Sequence, residues 1–238
     1  MIAYLRLELR RTIRDFGYLI MTLAAPLALY LLFNSGGHHS RTDAVHSMIA
    51  MAGFGALGAV MSSSGAVSED KRAGWLRQLR LTPLRPATVV VGRGVNIMTL
   101  ALPAILAVCL VAGIVNGVGL GAANWAGMVA LLWVGVAPIA MLCLGMGYLF
   151  DAAKAQAAGL VVYLVLSIVG GLFAPVDSLP TWLKPFSKLT PTYRYTELSQ
   201  DLALGKGLSA ASVGVLAAWA AAFALFAAFG YRKGGRAA

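Results

Sequence analysis

Histidine, cysteine and serine are the residue types in this sequence that could ligate a metal or act as nucleophiles, and none is spaced to do so. His38, His39 and His46 fall in the stretch Asn34 to His46. It is rich in glycine and serine and has neither helical nor CxxC-like ligand spacing, so a solvated loop is expected and no metal site. Cys109 and Cys143 lie apart within apolar runs, which suggests small buried hydrophobes rather than a disulfide or a zinc ligand. The run Ser62, Ser63, Ser64, Gly65 is not the GxSxG turn that presents a nucleophilic serine. With no Walker A pattern, no HExxH and no cysteine with a partnering histidine, the chain is expected to hold no catalytic residue and no cofactor of its own.

Recognition is better served. The stretch Ser68 to Asn96 carries six of the nineteen Lys and Arg residues and interrupts two long apolar runs. Ser68 reads as an N-cap with Glu69 and Asp70 in the first turn, and Pro83 as a terminator, which predicts a short helix over 68–83. On it Trp75, Leu76 and Leu79 make an apolar ridge beside Arg72, Arg77 and Arg80. Such a helix either lies flat on anionic lipid or docks on a soluble partner, since aromatic and Arg side chains dominate interface anchors.

The elements that position this stretch are membrane spans. Of 238 residues 59% are apolar and 12% charged, and the mean hydropathy is +0.78; a soluble domain has about a quarter of its residues charged. The net charge of +10 therefore reads as a topology signal beside hydrophobic runs rather than as nucleic-acid binding. The pattern predicts an all-α membrane protein with six transmembrane helices at about 17–33, 47–67, 97–118, 124–149, 157–174 and 210–231. An amphipathic interfacial helix over 1–16 precedes them, its arginines among headgroups. The second span, with Gly53, Gly55, Gly58 and Gly65, is expected inside the bundle, because small residues let helices approach closely. The segment 175–208, broken by Pro180, Pro185 and Pro191, is expected to form short external, re-entrant-like helices, with Trp182, Phe186, Tyr193 and Tyr195 suited to the membrane interface.

With six spans, fourteen Lys and Arg fall on the side of both termini and the Ser68 to Asn96 loop, and five on the other. The positive-inside rule then places both termini in the cytoplasm of a cell (inner) membrane protein. No ionisable residue lies near the centre of a predicted span, which argues against a secondary carrier. A membrane anchor that recruits a cytoplasmic partner without transport remains open on these grounds.

The order of these elements, with EDKRAGWLRQLRLTPL between the second and third spans and GGLFAPVDSLPTWLKPFSKLTPTY before the sixth, resembles the permease subunits of ABC-2 type exporters across essentially the whole chain. The resemblance implies that Glu69 to Leu81 forms the coupling helix that docks on a nucleotide-binding subunit. Glu69, Arg72, Trp75, Leu76, Arg77, Leu79 and Arg80 would carry that contact. It also implies a second permease subunit, and an ABC ATPase partner that binds ATP and Mg. Export of an amphipathic drug, antibiotic or lipid follows as an expectation; the second and fifth spans are taken to line the path on a separate ground, that small residues permit close dimer packing.

Overall fold

The computed structural model describes residues 16–34, 40–73 and 86–234, and every helix or strand among them is a helix. The expected interfacial helix over 1–16 and most of the coupling helix, residues 74–83, lie outside the described residues.

The first helix, α1, runs Phe16–Asn34 with Pro26 inside it. The second, α2, runs Arg41–Arg72, 32 residues without a proline. Ser40 starts it. Its hydroxyl accepts the Asp43 N–H at 3.2 Å, and the Asp43 carboxylate accepts the Ser40 N–H at 3.2 Å, a reciprocal cap that satisfies two otherwise orphaned donors. This corrects two expectations. His46 belongs to a helix rather than to a loop, and Ser68 is not an N-cap but a buried residue well inside α2. The helix continues through Ser68 because its hydroxyl is turned to carbonyls at the end of another helix, Gly147 O at 2.9 Å and Phe150 O at 3.1 Å, and to Ser64 O one turn back in α2 at 3.3 Å, none of which takes a helical N–H of α2 from its own acceptor the way an N-cap would. At about 1.5 Å per residue α2 is about 48 Å long, more than a hydrocarbon layer of about 30 Å, so its ends project.

The third crossing is made by α3, Pro86–Thr99, and α4, Leu102–Val115, joined by a bend at Leu100 and Ala101. It starts ahead of the expected Ile97, within the charged stretch, because Arg93 there is ion-paired with Asp70 of α2. The fourth is made by α5, Ala122–Gly135, and α6, Ala137–Leu149, which break at Val136 just before Pro138. The fifth, α7, is Ala152–Val169 rather than 157–174; Gly170 and Gly171 turn the chain, Gly171 at φ +76°, a conformation open to glycine. A 3-10 turn at Val176–Ser178 leads to α8, Lys184–Leu189, and α9, Pro191–Ala203. Pro185 and Pro191 sit in the first turns of α8 and α9, where a missing N–H costs nothing. The last helix, α10, is Ala210–Gly234.

Among the described residues five helical stretches, 42–72, 88–115, 122–149, 152–169 and 210–233, are long and apolar enough to cross a bilayer, and Thr22–Asn34 is a shorter apolar helix. Among the described residues the count is therefore five, where six crossings were expected.

The chain runs back and forth between two ends. Tyr30 of α1 donates to Asn116 Oδ1, just past α4, at 2.8 Å, and Asn34 bonds Ser47, so these meet at the Ser40 end of α2. Asp70 meets Arg93, Ser68 meets α6, and Tyr148 packs edge-on to Tyr231 with ring centres 5.6 Å apart, all at the Arg72 end. In the middle α2 touches α1, α4, α6, α7 and α9, and most of its residues are buried. Its glycines, serines and alanines permit that crowding. The apolar side chains of α7 and α10, such as Leu160, Val161, Leu225 and Phe229, are by contrast exposed, as suits helices facing lipid.

Candidate functional site

A cavity of about 730 Å³ lies between α1, α2 and α7. Thr22, Ala25 and Pro26 come from α1, Gly55, Gly58, Met61 and Ser62 from α2, and Ala153, Gln156, Ala157, Leu160 and Tyr163 from α7. Its existence depends on missing side chains. A Cβ on Gly55 would stand 3.1 Å from Pro26 Cγ, and one on Gly58 would stand 3.2 Å from the Tyr163 ring. The lining carries no charged side chain; its polar groups are two hydroxyls, a phenol and an amide. Leu160 is exposed, so the space opens along α7, and its size is that of a small-molecule site.

Towards the Ser40 end the cavity stops at three aromatic rings. Phe54 of α2 stacks on Tyr163 with centroids 4.9 Å apart and meets Phe173 edge-on at 4.9 Å. Beyond them is a second space of about 280 Å³ lined by Phe33, Asn34, Asp43, His46, Ser47, Ala50, Met51 and residues 171–175. Next to it, and sharing His46 and Ala50, is a polar one of about 290 Å³ that includes Lys188, Thr196, Glu197 and Gln200. Along α2 the order is therefore the two smaller spaces at His46 to Met51, rings at Phe54, and main cavity from Gly55 to Ser62. Tyr163 lines the main cavity and Phe173 the second space, so this ring cluster stands between the two.

The residues expected before the last span separate by position. Trp182 and Phe186 are exposed, 69% and 62%, as interface aromatics would be. Tyr193 is half-buried, with the Arg194 guanidinium 5.6 Å over its ring. Tyr195, expected among the same interface aromatics, is fully buried and donates its hydroxyl to Gly53 O of α2 at 3.0 Å. The reason is space: the side chain fits against Gly135 of α5 and Gly53 of α2, two positions without a Cβ. Arg194 is held by Glu197 at 2.9 Å and Ser212 at 3.0 Å, and Trp219 of α10 donates to Leu189 O at 2.7 Å. Those bonds lock α8, α9 and α10 together.

Of the residues expected to dock on a partner, Glu69 and Arg72 end α2 and are exposed, while Trp75, Leu76, Arg77, Leu79 and Arg80 lie outside the described residues. Between described residues of that turn the ion pair belongs to Asp70 with Arg93, not to Glu69. Lys71, which sequence reasoning passed over, donates to Tyr148 O at 3.1 Å and Phe150 O at 2.9 Å. Phe54, Gln156 and Tyr163 were likewise missed, since nothing in an apolar run marks which side chains face a cavity. Among the described residues no three His, Cys, Asp or Glu side chains come together as a metal would require.

Residues 34–229 match the family described as ABC-2 family transporter protein. Two relatives carry provisional names. YvfS of Bacillus subtilis (strain 168), a transport permease by that name, is 23% identical over 233 residues, which cover 95% of this chain and 94% of the relative. YbhR of Escherichia coli (strain K12), by name a multidrug ABC transporter permease, is 26% identical over 167 residues, which cover 67% of this chain and 43% of the relative.

Proposed function

This chain belongs to the ABC-2 family of transporter proteins, and from that premise we propose that it is the permease subunit of an ATP-driven exporter that moves an amphipathic drug, antibiotic or lipid out of the cytoplasm or the inner leaflet. The observation that carries the substrate class is the uncharged cavity between α1, α2 and α7, open along α7. An amphiphile could enter it sideways from the bilayer and lose no more than its contact with lipid. A fixed charge would have needed a partner there.

The energy comes from a separate ABC ATPase, which holds ATP and Mg. It docks on residues 69–81 through Arg72, Trp75, Leu76, Arg77, Leu79 and Arg80, with Glu69 as an ion-pair partner. A second permease subunit completes the assembly. In this reading α1 counts as the first of six crossings, the Arg72 end faces the cytoplasm with both termini, and α8 and α9 lie on the outer side of the cell membrane. ATP-driven movement of the docking segment tilts the spans, and the rings of Phe54, Tyr163 and Phe173 part so that cargo passes from the main cavity to the outer spaces.

The test is co-expression with an ABC ATPase, purification of the complex, and ATP-dependent movement in proteoliposomes of Hoechst 33342 as a drug probe and an NBD-labelled phospholipid as a lipid probe. Trp75→Ala with Arg77→Glu should abolish ATPase capture while leaving membrane insertion intact. Undiminished capture and transport by that variant would remove the docking role.

A further inference from the structure

We infer that the two small spaces at the Ser40 end of α2 form one site for an anionic phospholipid, with the phosphate held at Lys188 and an acyl chain beside Met51 and Leu172. The two share His46, Ala50, Gly171 and Pro175, so they are halves of one hollow. Their linings differ in kind. The half of about 290 Å³ takes Lys188 from α8 and Thr196, Glu197 and Gln200 from α9. The half of about 280 Å³ takes Phe33 from α1, Met51 from α2, and Leu172 and Phe173 from the turn after α7. A polar chamber that opens into an apolar one fits an amphiphile lying across both. Together they reach the size of a small-molecule site, about 300–1,000 Å³.

Charge decides the head group. Glu197, the acid of the polar half, is bound by Arg194 at 2.9 Å and by Ser212 at 2.7 Å. Asp43, on the apolar half, accepts the Ser40 hydroxyl at 2.7 Å and the Ser40 N–H at 3.2 Å. Lys188 takes part in none of the ion pairs among the described residues, and the His46 ring and the Gln200 amide add N–H donors to the same lining. The polar half therefore offers one unmatched positive charge and further donors, which a phosphate diester satisfies through charge-assisted hydrogen bonds. The depth agrees. Trp182 and Phe186, before and within α8, are exposed, as aromatics at headgroup level are, and Lys188 lies two residues beyond Phe186. Phe33 is exposed as well, so a chain that starts beside it continues into the hydrocarbon layer.

The site goes beyond the exporter reading, in which cargo leaves through these spaces and would displace the lipid. Binding is measured on the chain alone, so the two are judged separately. The full chain is purified in a non-ionic detergent and titrated by calorimetry with dihexanoylphosphatidylglycerol, dihexanoylphosphatidylcholine and glycerophosphate. Wild type should bind the anionic lipid about tenfold or more tightly than the zwitterionic one, and by a similar factor more tightly than glycerophosphate, which lacks the chains. Lys188→Gln should weaken the anionic lipid about tenfold and leave the zwitterionic one unchanged, while Lys188→Arg should retain binding. Lys206→Gln, at an exposed lysine outside both linings, should bind as wild type. Equal affinity for the two lipids, or an unweakened Lys188→Gln, overturns the site. Glycerophosphate bound as tightly as the lipid would make the polar half a pocket for free phosphate esters and refute the lipid. Should Lys188→Gln melt lower than wild type, Lys188→Cys treated with aminoethyl methanethiosulfonate, which returns an ammonium, decides; Cys109 and Cys143 are buried. Affinity for the anionic lipid must recover on treatment, and failure to recover overturns the site.

Discussion

Replacing Gly58 by leucine tests whether the cavity between α1, α2 and α7 is where cargo sits. The new Cβ would stand 3.2 Å from Cε2, Cζ and Oη of Tyr163, tighter than ordinary contact, so the Tyr163 ring gives by a few tenths of an ångström. The rest of the side chain extends into the empty space of about 730 Å³. Overpacking a filled core costs about 1–3 kcal/mol; here the cost should lie near the low end, because open volume receives the added atoms. Cargo, by contrast, loses apolar contact equivalent to about one buried leucine, about 1.5–3 kcal/mol, which is about 10- to 100-fold in affinity. The assay is binding and ATP-dependent transport of Hoechst 33342 in proteoliposomes, beside a thermal melt of the purified complex. Gly214→Leu serves as control, since a Cβ there meets nothing within 4 Å. Unchanged binding and transport by Gly58→Leu, with the melt equally unchanged, would refute the assignment of this cavity to cargo.

Three further substitutions probe the surrounding architecture. Phe54→Ala removes both ring contacts of the partition and should let Hoechst 33342 cross without ATP; a dye-tight variant would show that the rings are no barrier. Tyr195→Phe deletes the buried hydroxyl bonded to Gly53 O at 3.0 Å and should cost about 1 kcal/mol, read as a lower melting temperature, whereas an unchanged melt would mean the bond adds nothing. Gly147→Ala forces a methyl against Val67 and Ser64 O and should lower the melting temperature more than Tyr195→Phe does, because backbone cannot step aside as a side chain can.

What was legible in the sequence is what depends on composition. Apolar runs and small residues led to a helical membrane protein with its second span in the interior, because those features report solvent and backbone approach directly. Helix ends were less legible where two signals competed. Ser68 followed by Glu69 and Asp70 has the chemistry of an N-cap, yet the same hydroxyl serves α6, a partner that only tertiary structure supplies. The third span was expected to begin only at Ile97, after the charged stretch, and it begins earlier because Arg93 meets its counter-charge, Asp70, on the preceding helix. The Ser40 and Asp43 cap was present as a pattern and was hidden by the glycine and histidine residues before it. Tyr195 was grouped with Trp182 and Phe186 by residue type, and burial separated them, because Gly53 and Gly135 leave room for one ring and not for the others.

The composition of α2 follows from the number of demands placed on one helix. It must pack against α1, α4, α6, α7 and α9, which calls for small residues on most of its surface. It must also leave space beside Gly55 and Gly58 for a cavity, carry Phe54 at the partition, and end in polar side chains that grip α6 and α3. Larger residues on the packing faces would push the neighbours away and close the routes for motion between them. Ser62, the polar residue of the cavity stretch, turns its hydroxyl back to Ala59 O at 2.9 Å. The sequence from His46 to Lys71 meets these demands in order along its length, from a polar first stretch, through an aromatic ring, a glycine-rich middle and a serine run, to a charged end. A helix meant only to anchor a partner in the bilayer would need a lipid-compatible surface and a docking end. It would have no use for the cavity or for the ring partition that α2 supplies.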